Sequence, residues 1–182
     1  MVETENPSGE SALVIHVPEA EVLVGSYRIK YDHAASLGVP AHITLLWPFI
    51  PPPLISNKDL QTLTDLFSQQ SAFELALTEI QRFPDVLYLA PTPKTKIVDL
   101  IQNIARMFPN YPPYGGQFKE VIPHLTIAQS GDSELLDKLT EEIKPEAAKA
   151  LPIKKQISEI SLLEQTNGFW HKTKTFPMQL IP

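Results

Sequence analysis

Proline occurs 18 times in this 182-residue chain. Each proline fixes φ and removes a backbone donor, so the chain can build only many short elements with abrupt ends. The apolar runs between prolines are correspondingly short. One such run, Ile43 to Leu46, falls far below the length of a bilayer crossing. Neither a membrane span nor a signal peptide is visible, and the cytoplasm is the expected location. The length suits one domain, or two small lobes sharing a core. Hydrophobic residues at 43% and charged residues at 20% are close to the globular norm, which excludes a largely disordered chain. Residues 1–11 are acidic and polar and are expected to form a disordered tail, with a single folded domain over residues 12–182.

The apolar periodicity gives the order of elements. Leu13, Ile15 and Val17 alternate with Ala12, Val14 and His16, a pattern of a central strand that is apolar on both faces. Pro18 suits the first turn of a helix, and Leu23, Tyr27 and Tyr31 recur at helical spacing. His42 to Trp47 is a β-type run stopped by Pro48. Asp59 to Gln70 has one apolar stripe of Leu60, Leu63, Leu66 and Phe67. Phe73 to Leu77 and Val86 to Ala90 read as strands turning at Pro84-Asp85. Thr92 is placed to cap a helix with Pro93 at its first position and Ile97, Ile101, Ile104 and Phe108 buried. Val121 to Gln129 reads as a strand. Gly131-Asp132-Ser133 opens a helix that Pro145 is expected to break. Two final strands, Ile157 to Leu163 and Phe169 to Met178, flank Asn167-Gly168, a type I′ hairpin signal. Hairpins mixed among helices point to an α+β protein with antiparallel or mixed sheets rather than a doubly wound parallel sheet.

One short segment is repeated. Pro40-Ala41-His42-Ile43-Thr44-Leu45 is echoed by Ile122-Pro123-His124-Leu125-Thr126-Ile127, each reading His, apolar, Thr, apolar, with the histidines 82 positions apart. Residues i and i+2 of a strand share a face, about 6.6–6.8 Å apart. Each copy therefore presents an imidazole and a hydroxyl together while its apolar residues turn toward a core. If the two strands line one cleft, two imidazoles and two hydroxyls converge.

Such a set suits cleavage of a phosphodiester. A neutral imidazole can accept a proton from the attacking oxygen while a protonated one supplies the leaving oxygen, because imidazole titrates near neutrality. The hydroxyls of Thr44 and Thr126 can donate to the non-bridging oxygens, where charge builds in the transition state. The chain has no cysteine, which excludes disulfides, thiolate ligands and a cysteine nucleophile. No metal-binding pattern is present, and neither a metal nor any other cofactor is expected.

With these two motifs the sequence resembles the 2H phosphoesterase superfamily, whose members include 2′–5′ RNA ligase-like proteins and 2′,3′-cyclic phosphodiesterases. The stretch from Val17-Pro18-Glu19-Ala20-Glu21 through Ala41 to Phe49 is similar to a bacterial 2′–5′ RNA ligase subgroup, and the resemblance runs from about Leu13 to the C-terminus. It implies a bilobal α+β fold: two pseudosymmetric antiparallel sheets, helices outside and a central cleft. It also implies His42, Thr44, His124 and Thr126 as the catalytic set. Some ligase-like members carry a basic residue three positions after the second threonine, where this chain has Gln129.

Other residues allow two roles each. Tyr27 and Arg28 lie on the helix before the first motif, and Arg28 can either grip a phosphate or sit solvated on the helix face. Trp47 and Phe49 can stack on a base or pack in the core. Tyr114, with Tyr111, Gly115 and Gly116, belongs to a loop that can cover the site or merely connect. Tyr27, Arg28, Trp47 and Tyr114 are the candidate substrate contacts. Arg82, Lys94 and Lys96 can line a cleft rim or be solvated. His16 reads as a hydrogen-bonded core histidine, while His33 and His171 read as surface or helix-end residues.

The expected function is therefore metal-independent hydrolysis of a 2′,3′-cyclic phosphate on a nucleotide or RNA end. The alternatives are the reverse joining reaction of a 2′–5′ ligase and a non-catalytic nucleotide-binding or RNA-end-binding module. A net charge of −6 argues against a long duplex DNA partner, which needs clustered cations. A small nucleotide-type phosphodiester and a monomeric chain are expected.

Overall fold

The computed structural model describes residues 9–180. The tail expected over residues 1–11 lies outside the described residues as far as residue 8, and the first strand begins within it, at Ser11. That strand, β1 (Ser11–His16), is followed by a 3-10 turn at Pro18–Ala20, then α1 (Glu21–Tyr31), the short α2 (His33–Ser36) and β2 (His42–Leu46). Next come α3 (Asn57–Ser68), the hairpin β3 (Phe73–Arg82) and β4 (Val86–Thr92), α4 (Lys94–Met107) and β5 (Leu125–Gln129). The chain ends with α5 (Ser133–Ala150), β6 (Ile153–Ile157), β7 (Glu159–Thr166) and β8 (Phe169–Pro177).

The eight strands form two antiparallel four-stranded sheets, ordered β2-β1-β7-β8 and β5-β4-β3-β6. Each motif strand is thus an edge strand beside the strand that precedes it in the chain. The runs β1-α1-β2 and β4-α4-β5 repeat this topology, and the edges β2 and β5 meet. The helices cross over: α1 packs against β5, and α4 packs against β2. The exchange makes one contiguous core, in which Leu13, Ile15, Ile43 and Leu45 of one sheet join Leu87, Leu89, Leu125 and Ile127 of the other.

Local chemistry accounts for the element ends. Ser56 and Asp59 form a reciprocal capping box that starts α3, two residues before the expected Asp59. The Asp132 side chain accepts from the Glu134 and Leu135 amides and starts α5. Asn167 (φ 53°) and Gly168 (φ 83°) make the β7–β8 turn as expected.

Four expectations need correction. Pro145 does not end α5: it is exposed, while Ile143 and Ala147 stay buried on the other side and carry the helix past it. Thr92 belongs to β4 rather than capping α4, which has no side-chain cap. The strand expected from Val121 starts only at Leu125, since Pro123 has no amide to contribute to a ladder. Lys-rich β6 is absent from the expected order because adjacent lysines, Lys154 exposed and Lys155 half-buried, mask its period; it pairs with β3 from Phe73↔Ile157 to Leu77↔Ile153.

Candidate active site

His42 opens β2 and Thr44 follows on the same face; His124 immediately precedes β5 and Thr126 lies in it. All four are half-buried, whereas Ile43, Leu45, Leu125 and Ile127 between and after them are sealed in the core. The alternation expected of both motifs is therefore present, and the meeting of β2 with β5 sets the two pairs side by side.

The two imidazoles are held alike. His42 Nδ1 lies 2.8 Å from the Pro40 carbonyl oxygen, and His124 Nδ1 lies 2.8 Å from that of Ile122. A carbonyl can only accept, so each ring carries its proton on Nδ1 and turns Nε2 outward with a free lone pair. Both rings are held below the usual histidine range. Burial pushes His42 down to about 3, aided by the positive charge of Arg28 and opposed by the bond to Pro40. Burial also lowers His124, against the bond to Ile122 and the negative charge of Asp32. Charge on His16 or on His124 would push His42 lower still.

Aromatic groups enclose the pair. Phe83 and Tyr88 meet the His124 ring edge-on, with centroids 5.2 and 5.5 Å away. Tyr88 stands opposite Thr126 in the β4–β5 ladder. Tyr114 brings its hydroxyl near Thr44, and burial pushes that phenol up. Its backbone has φ 52°, in the left-handed region, and its amide donates to the Trp47 carbonyl at 2.6 Å. Trp47, 37% exposed, and Phe118, 59% exposed, flank Tyr114 edge-on at 6.4 and 5.6 Å. Phe49 instead packs inside against Phe108 and Tyr111.

Two expected substrate contacts are otherwise engaged. Tyr27 is buried between α1 and α5, with its hydroxyl donating to Glu142 at 3.4 Å. Arg28 is 1% exposed; its Nε donates to Asp32 at 3.0 Å, Nη1 to Glu21 at 3.2 Å and Nη2 to the Val39 carbonyl at 3.1 Å. A guanidinium so occupied has no fork left for a phosphate. Arg82 is paired with Asp137 and Ser133, and Lys94 and Lys96 are exposed. His16, expected to be hydrogen-bonded, has a buried Nε2 with no partner. It stands directly across from His42 in the β1–β2 ladder, as its place at the end of β1 and that of His42 at the start of β2 permit. Among the described residues no group of three or more His, Cys, Asp or Glu is arranged to hold a metal ion.

A family comparison then places the chain: the pattern of the 2′-5′ RNA ligase superfamily matches residues 16–169. The chain belongs to that superfamily. Solved structures share the fold. E. coli LigT complexed with NADP+ superposes with a TM-score of 0.56 at 18% identity, over 94% of this chain and 98% of that one. A structure described as a phosphoesterase gives 0.57 at 16% identity, over 94% and 99%. TT0787 of Thermus thermophilus gives 0.61 at 15% identity, over 95% and 100%. No curated protein sequence matches the chain. Membership in this superfamily supports a phosphoesterase-type or ligase-type role. No helix among the described residues is long and apolar enough to cross a membrane.

Proposed function

We propose that this chain hydrolyses a 2′,3′-cyclic phosphate on a nucleotide or RNA end, without a metal, by two-histidine acid–base catalysis. The observation that carries this reading is the matched presentation of the histidines. Each Nδ1 is tied to the carbonyl two residues back at 2.8 Å, which leaves each Nε2 free beside a same-face threonine. In hydrolysis one Nε2 accepts a proton as the water oxygen bonds to phosphorus. The other, protonated, delivers its proton to the ribose oxygen as the P–O bond breaks. Thr44 and Thr126 donate to the non-bridging oxygens, and Trp47 with Tyr114 offers an aromatic face to the base. The LigT structures with 3′-AMP and ATP support a nucleotide-sized ligand. The chain works as one monomeric bilobal unit in the cytoplasm.

The test is turnover of a panel of 2′,3′-cyclic nucleotides in excess EDTA, with product regiochemistry read out. Hydrolysis should persist in chelator, and His42→Ala and His124→Ala should each slow it by about 10²–10⁴-fold with the fold intact. Full activity in both variants refutes the reading. Joining of RNA ends in the same assay identifies the ligase direction instead, and saturable binding with no turnover identifies a binding module.

A further inference from the structure

We propose that the Glu21–Arg28–Asp32 cluster is a positioning device that makes His42 the proton acceptor of the pair and leaves His124 as the donor. This inference rests on the acid–base reading above and assigns its two roles. The motifs look equivalent, but the peptide groups that orient their rings differ. His42 leans on the Pro40 carbonyl, and the amide of that same peptide group belongs to Ala41. The Ala41 N–H donates to Glu21 Oε1. A carboxylate therefore grips one edge of a peptide plane while the imidazole Nδ1–H grips the other. Polarisation through the amide strengthens the carbonyl as an acceptor, as in any linked chain of hydrogen bonds. Arg28 locks the arrangement: it holds Glu21 at 3.2 Å, the preceding Val39 carbonyl at 3.1 Å and Asp32 at 3.0 Å. The Asp32 Oδ1 in turn accepts from the Ala34 amide at 3.0 Å.

The second motif cannot be held this way. His124 leans on the Ile122 carbonyl, and the next residue is Pro123. That peptide has no N–H, so no carboxylate can grip it. Moving proline from two residues before the histidine to one residue before it thus gives the first ring a brace and denies it to the second. The cluster also separates the rings by charge. Beyond the Glu21 carboxylate at the Ala41 amide, His42 is acted on by the positive charge of Arg28 from α1, and by His16 of β1 and His124 when these are charged, whereas His124 is acted on by the Asp32 carboxylate. A ring facing a guanidinium stays neutral and keeps its Nε2 lone pair; a ring facing a carboxylate is the easier one to charge. His42 Nε2 then takes the water proton as the O–P bond forms. His124 Nε2–H gives its proton to the departing ribose oxygen as the P–O bond breaks.

Glu21→Ala removes the grip without stranding Arg28, which keeps Asp32, and the Glu21 side chain is 37% exposed, so the variant should fold. Nitrogen-detected NMR of the imidazoles at pH 7.5 should show His42 as the Nδ1–H tautomer in the native chain and as a tautomer mixture in Glu21→Ala, with His124 unchanged. Turnover of a cyclic nucleotide should fall about tenfold in kcat with KM little moved, and Glu21→Gln, which retains an acceptor, should recover much of it. In a second arm, a 4-nitrophenyl phosphodiester, whose leaving group needs no proton, should restore rate to His124→Ala but not to His42→Ala. An unchanged His42 tautomer in folded Glu21→Ala, tautomer changes shared by both rings, or rescue of His42→Ala instead overturns the proposal. Absence of any turnover by the native chain would count against the proposed function alone, because the NMR arm decides the brace without it.

Discussion

The Tyr114 amide donates to the Trp47 carbonyl at 2.6 Å, from a loop residue in the left-handed region at φ 52°. A non-glycine residue with positive φ stores strain that the surrounding contacts must offset. Here the bond to Trp47 is the offsetting contact, and the Tyr114 hydroxyl is left to act beside Thr44, one of the two motif threonines. Tyr114→Phe should therefore lower kcat/KM for a cyclic phosphate about five- to tenfold, the worth of one hydrogen bond, and leave the melting temperature nearly unchanged. A large drop in stability with unaltered kinetics would show Tyr114 to be a structural prop only.

The threonines can be tested against the residues behind them. Thr44→Val and Thr126→Val keep the β-branched shape a strand favours but remove the hydroxyl. Steady-state kinetics should show kcat reduced by about 10²–10³-fold for each, as for the loss of an oxyanion donor. Ile43→Val, in the sealed core between His42 and Thr44, should do the reverse: roughly 0.5–1.5 kcal/mol of stability lost by denaturant titration and little change in kcat.

The echo that marks the site is a period-2 signal, and period-2 signals survive in sequence because one face is buried. Ile43, Leu45, Leu125 and Ile127 are all buried, which is why the pattern around the two histidines was legible. Register is not written that way. Nothing local to β1 shows that His16 faces His42, or that Tyr88 of β4 faces Thr126; those pairings follow from where the long helical connections return the chain. The true role of Arg28 was hidden for a similar reason. Asp32 stands one helical turn beyond it and Glu21 two turns before it on α1, spacings visible in sequence, but the Val39 carbonyl reaches it only because the chain doubles back after α2. The exchange of α1 and α4 between sheets leaves no mark in any single element's periodicity.

Stability should fall in mild acid, and the sign follows from the lowered rings. A histidine at its ordinary value of 6.5 in the unfolded chain but lowered to about 3 when folded, as His42 is, binds its proton only on unfolding. Its contribution is complete above about pH 6.5 and is lost as pH falls from there toward 3. His16 and His124, also lowered by burial, add losses of the same sign. Urea midpoints at pH 7.5 and pH 5 should differ in that direction, and His42→Asn should shrink the difference. Equal midpoints at the two pH values in the native chain would contradict this account of the rings.

Binding of a phosphate ester should take up protons. In the free protein both motif rings are held low by burial, so both are neutral at pH 7.5, whereas acid–base catalysis needs one imidazolium. An anionic phosphate set between the rings raises both, because an opposite charge within about 4–6 Å favours the charged form. The bound state therefore holds more protons than the free state, and linkage requires affinity to rise as pH falls. Calorimetric titration with a 3′-nucleotide, a product-like ligand, in two buffers of different ionisation enthalpy at pH 6.5 should give a net uptake approaching one proton. The dissociation constant should tighten between pH 8 and pH 6, and the His124→Ala variant should lose most of the uptake, since its ring is the one facing Asp32. Affinity that is flat across this range, with no difference between the buffers, would mean that the phosphate does not sit between the two imidazoles.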